Sequence, residues 1–203
     1  MNGQSKVWEA AEAFRRQYLV RTGGMLPVDV FSVVELQLRL DVIPFDDLQA
    51  KYRIDAALTR DFTGIYVDAE SYVYWERGPV WKQNRLRFTV AHEIGHWVLH
   101  RDYAAKVKFA SFDQFARHFK GDDPTRYWLE QEANEFAGRL LVPRERLCEL
   151  FDQFAHQIDS IMPNWLQSED LRIKFAEQVA PKFGVHTQSI LTRLDREGLW
   201  VSP

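Results

Sequence analysis

The sequence predicts an α+β fold in which helices pack on a small β-sheet and a helical tail follows. Apolar residues recur at helical spacing in both halves of the 203-residue chain, whereas runs rich in β-branched and aromatic residues are confined to 41–76. One central segment is apolar on most of its sides, as expected for a buried helix. With 46% hydrophobic residues, the chain can form a substantial core.

Composition excludes several classes of protein. The net charge of −3 favours binding to neither nucleic acid nor a membrane surface. Cys148 is the only cysteine, which excludes an internal disulfide and any Cys-based zinc site. Residues 1–6 show no signal peptide, and no segment approaches the roughly 20 apolar residues of a membrane span. We therefore expect a cytoplasmic protein that does not contact a membrane.

Two helices are predicted before the sheet. Apolar residues from Val7 to Tyr18 recur at helical spacing, with charged residues turned away from them, which predicts an amphipathic helix over 5–20. A second helix is predicted from Asp29, a favourable N-cap, to about Leu40. Simple core packing explains both.

The β-forming residues predict a small sheet. The segment 41–45 is typical of a short strand, and its proline marks an edge or an end. The segments 61–68 and 71–76 predict a hairpin joined by a tight Ala69-Glu70 link. Gly64 within the first of these strands indicates a bulge or a close backbone approach.

The central helix is predicted over 84–101 and carries a polar stripe. Between Phe88 and Leu99, Glu93 is the only carboxylate, and there is no Lys, Arg or Asp. A buried helix must satisfy its polar groups, and a bound metal would do so. The stripe comprises Thr89, His92, Glu93, His96 and His100.

The sequence His92-Glu93-Ile94-Gly95-His96 lies within this stripe. Residues four apart on a helix lie one turn apart and about 40° around the axis, so both histidines can face one ion. Glu93 projects from the same side. This arrangement suits a zinc ion that holds and activates a water molecule.

A third ligand is predicted on the next helix, residues 125–141. Glu130 shares a face with Ala133, Asn134, Ala137 and Leu141, and a carboxylate on that buried face needs a compensating charge. Asn134 is expected to hydrogen-bond a residue of the site. The alternatives on or near this helix are Glu132, Glu135 and His118.

Geometry argues against these alternatives and against His100. Glu132 and Glu135 cluster with Arg139 on the opposite face and are expected to be solvated. His100 is eight residues after His92, about 12 Å along a helix, too far to share one tetrahedral ion. We expect His100 to support a ligand or to pack near the helix end.

The rest of the chain is predicted to be helical. The phenylalanines of residues 103–126 have the spacing of a packed amphipathic helix, which we favour over a substrate-binding wall. Beyond Pro143, three short helices are predicted over 144–157, 167–180 and 187–197.

Two segments resemble the ImmA/IrrE family of zinc-dependent peptidases. They are the run from Phe88 to His100 and the pattern Glu130-x-x-Ala133-Asn134-x-Phe136-Ala137-x-x-Leu140-Leu141-x-Pro143. The resemblance implies a zincin-like (thermolysin-like) core over 1–145, with helices packed on a small sheet. It is weaker over 146–203, for which we expect a helical C-terminal subdomain with a helix-turn-helix-like arrangement.

The resemblance also implies the function. His92, His96 and Glu130 would bind Zn²⁺ and Glu93 would act as general base in an endopeptidase. The expected partner is a protein substrate, a helix-turn-helix regulator. A tyrosine or histidine assists the oxyanion in related enzymes, and five candidates stay open: Tyr66, Tyr74, Tyr103, His118 and Tyr127.

An alternative is a zinc-binding regulator or sensor that acts through DNA or a partner without proteolysis. A helical tail is compatible with it. Against it, residues 144–203 carry many Asp and Glu among their basic residues, so we do not expect DNA binding. A purely structural zinc would also leave the glutamate beside the first histidine without a role.

Overall fold

A computed structural model describes residues 3–19, 25–75, 77–104 and 124–200 of the chain. The phenylalanine stripe predicted within 103–126 lies outside these residues, as does His118. The described part is mostly helical with one small mixed sheet, which confirms the α+β class.

In the described part of the chain, strands occur only in the first half, between helices. The α-helices are α1 (Gly3–Phe14), α2 (Val30–Ser32), α3 (Leu48–Tyr52), α4 (Ala69–Val73), α5 (Val80–Leu99), α6 (Arg101–Ala104), α7 (Pro124–Leu141), α8 (Arg144–Ile158), α9 (Glu169–Phe183) and α10 (Thr187–Glu197). The strands are β1 (Asp41–Phe45), β2 (Ala56–Leu58) and β3 (Gly64–Asp68). A 3₁₀ turn spans Trp165–Gln167.

Both predicted N-terminal helices form, and each changes from an α-helix to a π-helix part-way along. α1 continues as a π-helix over Arg15–Leu19, and α2 continues likewise over Val33–Gln37. Asp29 is the N-cap of α2, as predicted, and its carboxylate accepts the N–H of Ser32 at 3.1 Å. The buried faces of these helices join the main core.

The sheet has the order β1–β3–β2, with β1 parallel and β2 antiparallel to β3. The predicted hairpin is wrong, because the residues after β3 form α4 instead of a second strand. Asp68 explains the change: its carboxylate accepts the N–H of Ser71 at 3.0 Å and so caps a helix where a strand turn was expected.

Gly64 permits a close approach of two backbones, one of the two roles predicted for it. A Cβ atom at this position would lie 2.8 Å from the carbonyl oxygen of Asp41 on the parallel strand. No side chain other than hydrogen fits that distance, so glycine allows β1 and β3 to pair from their first residues.

The central helix α5 is buried along much of its length and packs against α7 and β2. Leu86, Val90 and Ile94 are fully buried in the core, and Trp97 is partly buried at its margin. The burial predicted for this apolar segment is therefore confirmed. Its partner α7 buries Ala133, Ala137 and Leu141.

The opposite face of α7 is covered, so the solvated face predicted for Glu135 and Arg139 is wrong. Trp8 of α1 donates its indole N–H to Glu135 at 2.6 Å and stacks its ring on Arg139. Arg139 is only 3% exposed and pairs with Glu197 of α10 at 2.7 Å. Ion pairs from two other helices compensate charges that would otherwise need water.

The C-terminal helices share the same core as the rest of the molecule. Their own contribution is a cluster of contacting aromatic rings: Phe151, Phe154, Trp165, Phe175 and Trp200. A short turn at Gly184 joins α9 to α10, with glycine in the left-handed conformation that ends a helix. The division between 1–145 and 146–203 stays a prediction.

Within residues 3–19, 25–75, 77–104 and 124–200, none of the helices combines the length and apolarity that a bilayer span requires.

Candidate metal centre

The site lies where α5 crosses α7, and a glycine sets how closely the two helices approach. A Cβ atom on Gly95 would lie 3.1 Å from the carbonyl oxygen of Ala133 and 3.2 Å from its Cα. A methyl group at Gly95 would therefore require the two backbones to move apart by a few tenths of an ångström. The close contact brings His92 and His96 of α5 to Glu130 of α7.

Three side-chain donors converge at this crossing. The Nε2 atoms of His92 and His96 are 3.0 Å apart. Glu130 places Oε2 3.2 Å from His92 Nε2 and Oε1 3.5 Å from His96 Nε2. Among the described residues, this is the one group of His, Cys, Asp and Glu whose donor atoms cluster as metal ligands would. The three predicted ligands therefore meet.

These distances fit a zinc ion. Ligand bonds of about 2.05 Å at tetrahedral angles place neighbouring donors about 3.3 Å apart. The two histidine nitrogens are 3.0 Å apart, and they lie 3.2 and 3.5 Å from two different oxygens of Glu130, so each separation lies around that value. The side chain of Glu130 is 29% exposed while those of His92 and His96 are 11% and 14% exposed, so the group opens to solvent on the Glu130 side.

The second nitrogen of His92 shows how this ring is oriented. Nδ1 of His92 lies 2.9 Å from Oδ1 of Asn134, one helical turn beyond Glu130 on α7. An amide oxygen only accepts, so Nδ1 carries a proton and Nε2 is the nitrogen that faces the other donors. The supporting role predicted for Asn134 is confirmed.

His100 also supports a ligand instead of acting as one. Its Nδ1 lies 2.9 Å from Nδ1 of His96, and its Nε2 lies 3.0 Å from Oε2 of Glu132. Burial lowers the pKa of His100 and outweighs the opposing effect of Glu132, so the ring is neutral at neutral pH. Glu132, which was expected to be solvated, is thus a member of the site.

Glu93 lies beside the donors and faces the sheet. It is 9% exposed, and its Oε2 accepts the backbone N–H of Leu58 on β2 at 2.9 Å. Burial raises the pKa of Glu93, and the neighbouring histidines oppose that rise only in part. A buried carboxylate with a raised pKa next to a metal-binding group is suited to take up a proton.

The surroundings of Glu130 favour its ionised form. Burial acts to raise the pKa of Glu130, but its contacts with the rings of His92 and His96 lower it far below its ordinary range. The pKa of His92 is raised: burial acts to lower it, and the bond to Glu130 with the nearby charge of Glu93 prevails. The ionised glutamate that a cation requires is therefore favoured.

Local sequence patterns identified the three side chains that converge but missed three of the contacts around them. Glu132 bears no local sign of its contact with His100. The N–H of Leu58 is a backbone group, which has no residue signature. Gly95 lay within the motif, yet its contact with Ala133 depends on the helix crossing.

The three described candidates for oxyanion support lie on different parts of the fold. Tyr127 lies three residues before Glu130 on α7 and is 59% exposed. Tyr74 follows α4, where its ring packs under the ammonium of Lys82. Tyr66 lies in the central strand against Phe45. The side chain of Tyr103 lies outside the described part, as does His118.

Residues 82–195 match the peptidase M78 family model, described as the IrrE N-terminal-like domain. No curated protein shows a significant match to the chain. The family match runs from the first turn of α5 into α10, so it includes both helices of the metal centre and most of the C-terminal helices. Because it spans more than half of the 203 residues, the chain belongs to this family of peptidases.

Proposed function

We propose that this member of the IrrE N-terminal-like peptidase family is a zinc-dependent endopeptidase with a zincin-like core. One observation carries the proposal. His92, His96 and Glu130 converge at zinc-ligand spacing while the buried Glu93 lies beside them. Two histidines and one carboxylate are the protein ligands of a common class of catalytic zinc site, which keeps a further position for water or substrate.

When bound, zinc acts as a Lewis acid that lowers the pKa of water and polarises a carbonyl group. Glu93 is assigned the role of general base: it accepts the proton of the attacking water and passes it to the leaving amine. The hydrogen bond from Leu58 holds Oε2 of Glu93, so Oε1 is the oxygen assigned to proton transfer. Asn134 and His100 orient the two histidines.

A substrate in extended conformation would lie along β2. The hairpin expected at 61–76 would have offered a strand edge to a peptide. In the structure β3 is the central strand and has no open edge, so the edge strand β2 takes this role. The N–H of Thr59, next to β2, points to β3, whereas the N–H of Leu58 points to α5. An added strand along the outer side of β2 would pass beside Glu93, which already accepts the N–H of Leu58, and beside the metal centre.

The proposed substrate is a specific regulatory protein, a helix-turn-helix transcriptional regulator, as the family resemblance implies. The chemistry of the site itself requires only a peptide segment that can lie extended along β2.

The test compares three zinc-reconstituted proteins: wild type, Glu93→Gln and Glu130→Ala. Zinc content is measured by atomic emission, and cleavage by mass spectrometry of candidate regulators incubated with each protein. We expect Glu93→Gln to keep its zinc and lose cleavage by about 10²–10⁴-fold. Glu130→Ala should lose both. Exposed Glu177 provides the matched control, since Glu177→Gln should keep both.

Two results would overturn the proposal. The first is full zinc content in Glu130→Ala, because the ion would then be held elsewhere. The second is undiminished cleavage by zinc-loaded Glu93→Gln. A zinc-loaded wild type that cleaves no regulator but binds DNA with a steep salt dependence would favour a non-proteolytic regulator.

A further inference from the structure

A chain of hydrogen bonds leads from the metal centre to the edge of α7. Nδ1 of His96 lies 2.9 Å from Nδ1 of His100, and Nε2 of His100 lies 3.0 Å from Oε2 of Glu132. His100 is only 5% exposed, whereas the side chain of Glu132 is 40% exposed. The chain therefore begins inside the protein and ends at its surface.

One arrangement of protons satisfies both bonds and leaves His96 able to bind a metal. The carboxylate of Glu132 accepts, so Nε2 of His100 carries a proton. A ring nitrogen that binds a metal carries no proton, so His96 with a metal on Nε2 would donate from Nδ1, and Nδ1 of His100 would accept. In this arrangement Nε2 of His96 faces Glu130 and His92.

We propose that His100 and Glu132 are positioning residues that hold His96 in its Nδ1–H tautomer, with Nε2 ready to bind the metal. The proposal rests on the proposed function, since it assigns a metal to Nε2 of His96. Neither residue contacts the ion or the substrate. Their effect reaches the metal only through the ring of His96.

The two ligand histidines are supported differently. His92 is oriented by the neutral amide of Asn134. His96 is oriented by the imidazole of His100, which is itself hydrogen-bonded to a carboxylate, that of Glu132. A hydrogen bond backed by a charged acceptor is stronger than one to a neutral amide. His96 is therefore the more firmly held ligand and the more dependent on its outer partners.

The arrangement also joins α5 to α7 through a second pair of residues next to the metal centre. His96 lies in the last turn of α5 and His100 caps the end of that helix, while Glu130 and Glu132 lie two residues apart on α7. The inner pair, His96 with Glu130, forms part of the metal centre, and the outer pair braces it from behind.

Substitutions can separate the two bonds. His100→Asn keeps an acceptor oxygen near the position of Nδ1 but loses the bond to Glu132, whereas His100→Phe removes the acceptor. Glu132→Ala breaks only the outer bond. Asn134→Ala is the matched control, since it affects His92 and leaves the support of His96 intact.

Two measurements test the proposal. Zinc affinity is obtained by chelator competition, and the tautomers of metal-free protein by ¹⁵N-detected NMR of the histidine rings. We expect His100→Phe to weaken zinc binding by about 10–100-fold and to move His96 toward the Nε2–H tautomer. His100→Asn should keep the Nδ1–H tautomer of His96 and bind zinc better than His100→Phe. Glu132→Ala should weaken zinc binding less than His100→Phe does.

The result that would overturn the proposal is an unchanged His96 tautomer and unchanged zinc affinity in folded His100→Phe. Circular dichroism establishes whether each variant folds. If His100→Phe is unfolded, the tautomer of His96 is compared between His100→Asn and Glu132→Ala, and that comparison alone decides. In wild type, a His96 ring protonated at Nε2 would overturn it as well. Failure of the proposed function looks different, because zinc would then bind to Glu130→Ala as it does to wild type.

Discussion

The backbone N–H of Leu58 donates a hydrogen bond to Oε2 of Glu93 over 2.9 Å. The bond joins the edge strand β2 to the buried helix α5 at the carboxylate assigned as the general base. Strand and helix thus share a polar contact as well as their packing. It positions Glu93 and at the same time satisfies a strand N–H that has no partner in the sheet.

The burial of Glu93 predicts that Glu93→Gln stabilises the metal-free protein. Burial raises the pKa of Glu93 in the folded state above its unfolded value, so ionisation opposes folding. The cost is absent below the unfolded pKa and grows as the pH rises through the folded pKa. Gln avoids it and keeps an oxygen for Leu58. We expect a gain of about 1–3 kcal/mol at high pH, the usual desolvation cost of a buried polar group.

Urea denaturation of both proteins at a series of pH values measures this difference. Exposed Glu177→Gln serves as the control and should show no such trend. A Glu93→Gln protein that is more stable than wild type only at low pH would contradict the sign of the argument.

The contact of Gly95 with Ala133 predicts opposite effects for two glycine-to-alanine substitutions on the paired helices. A Cβ on Gly95 would lie 3.1 Å from a backbone oxygen, whereas a Cβ on Gly138 would make an ordinary 3.5 Å contact with Arg193. Alanine favours a helix by up to about 1 kcal/mol at either position. Overpacking between two backbones costs about 1–3 kcal/mol at Gly95 alone.

Thermal unfolding and zinc affinity together test this difference. Gly95→Ala should lower both, because separating α5 from α7 moves Glu130 away from the histidines. Gly138→Ala should leave zinc affinity unchanged and preserve or raise the melting temperature. Equal behaviour of the two variants would show that the helix crossing tolerates a methyl group.

The buried side chain of Glu197 predicts that α10 is needed for a stable α7. Glu197 is 3% exposed and bonds Arg139 at 2.7 Å and Arg144 at 2.9 Å, with Arg193 in hydrogen-bond contact as well. Glu197→Ala would leave Arg139 and Arg193 buried without this partner. We expect a loss of about 3–5 kcal/mol in the free energy of unfolding.

Chemical denaturation measures this loss, and Glu169→Ala provides the control. Glu169 is 58% exposed and pairs with Arg172 one turn away, a contact worth about 0.5 kcal/mol or less. If both variants lost the same small amount, the charges around Glu197 would be accessible to water in solution.

Asp68 predicts a loss of stability that leaves the metal centre intact. It is 4% exposed, and it accepts the N–H of Gln49 at 2.9 Å as well as the N–H of Ser71 at 3.0 Å. Asp68→Ala would remove the cap of α4 and leave the N–H of Gln49 without this acceptor, at a cost of about 1–3 kcal/mol. Thermal unfolding should show the loss while zinc affinity stays within twofold; a variant as stable as wild type would contradict it.

The sequence by itself determined the parts of the site that depend on spacing along one helix. His92 and His96 are one turn apart in any α-helix, and Glu130 shares a helix face with Ala133 and Ala137 in any fold that keeps α7 helical. The last helix spans the predicted residues 187–197, whereas α5 begins at Val80, four residues before the predicted start, and ends at Leu99, two residues before the predicted end. Apolar periodicity is a local signal and locates both helices.

The tertiary structure decided which partner each polar group has. Glu135 and Arg139 carry charges that predict solvation, yet α1 and α10 cover them and compensate the charge. Glu132 meets His100, and Leu58 meets Glu93, only because α5 lies between α7 and β2. Whether a charge is solvated depends on the element packed over it, and the local sequence does not contain that information.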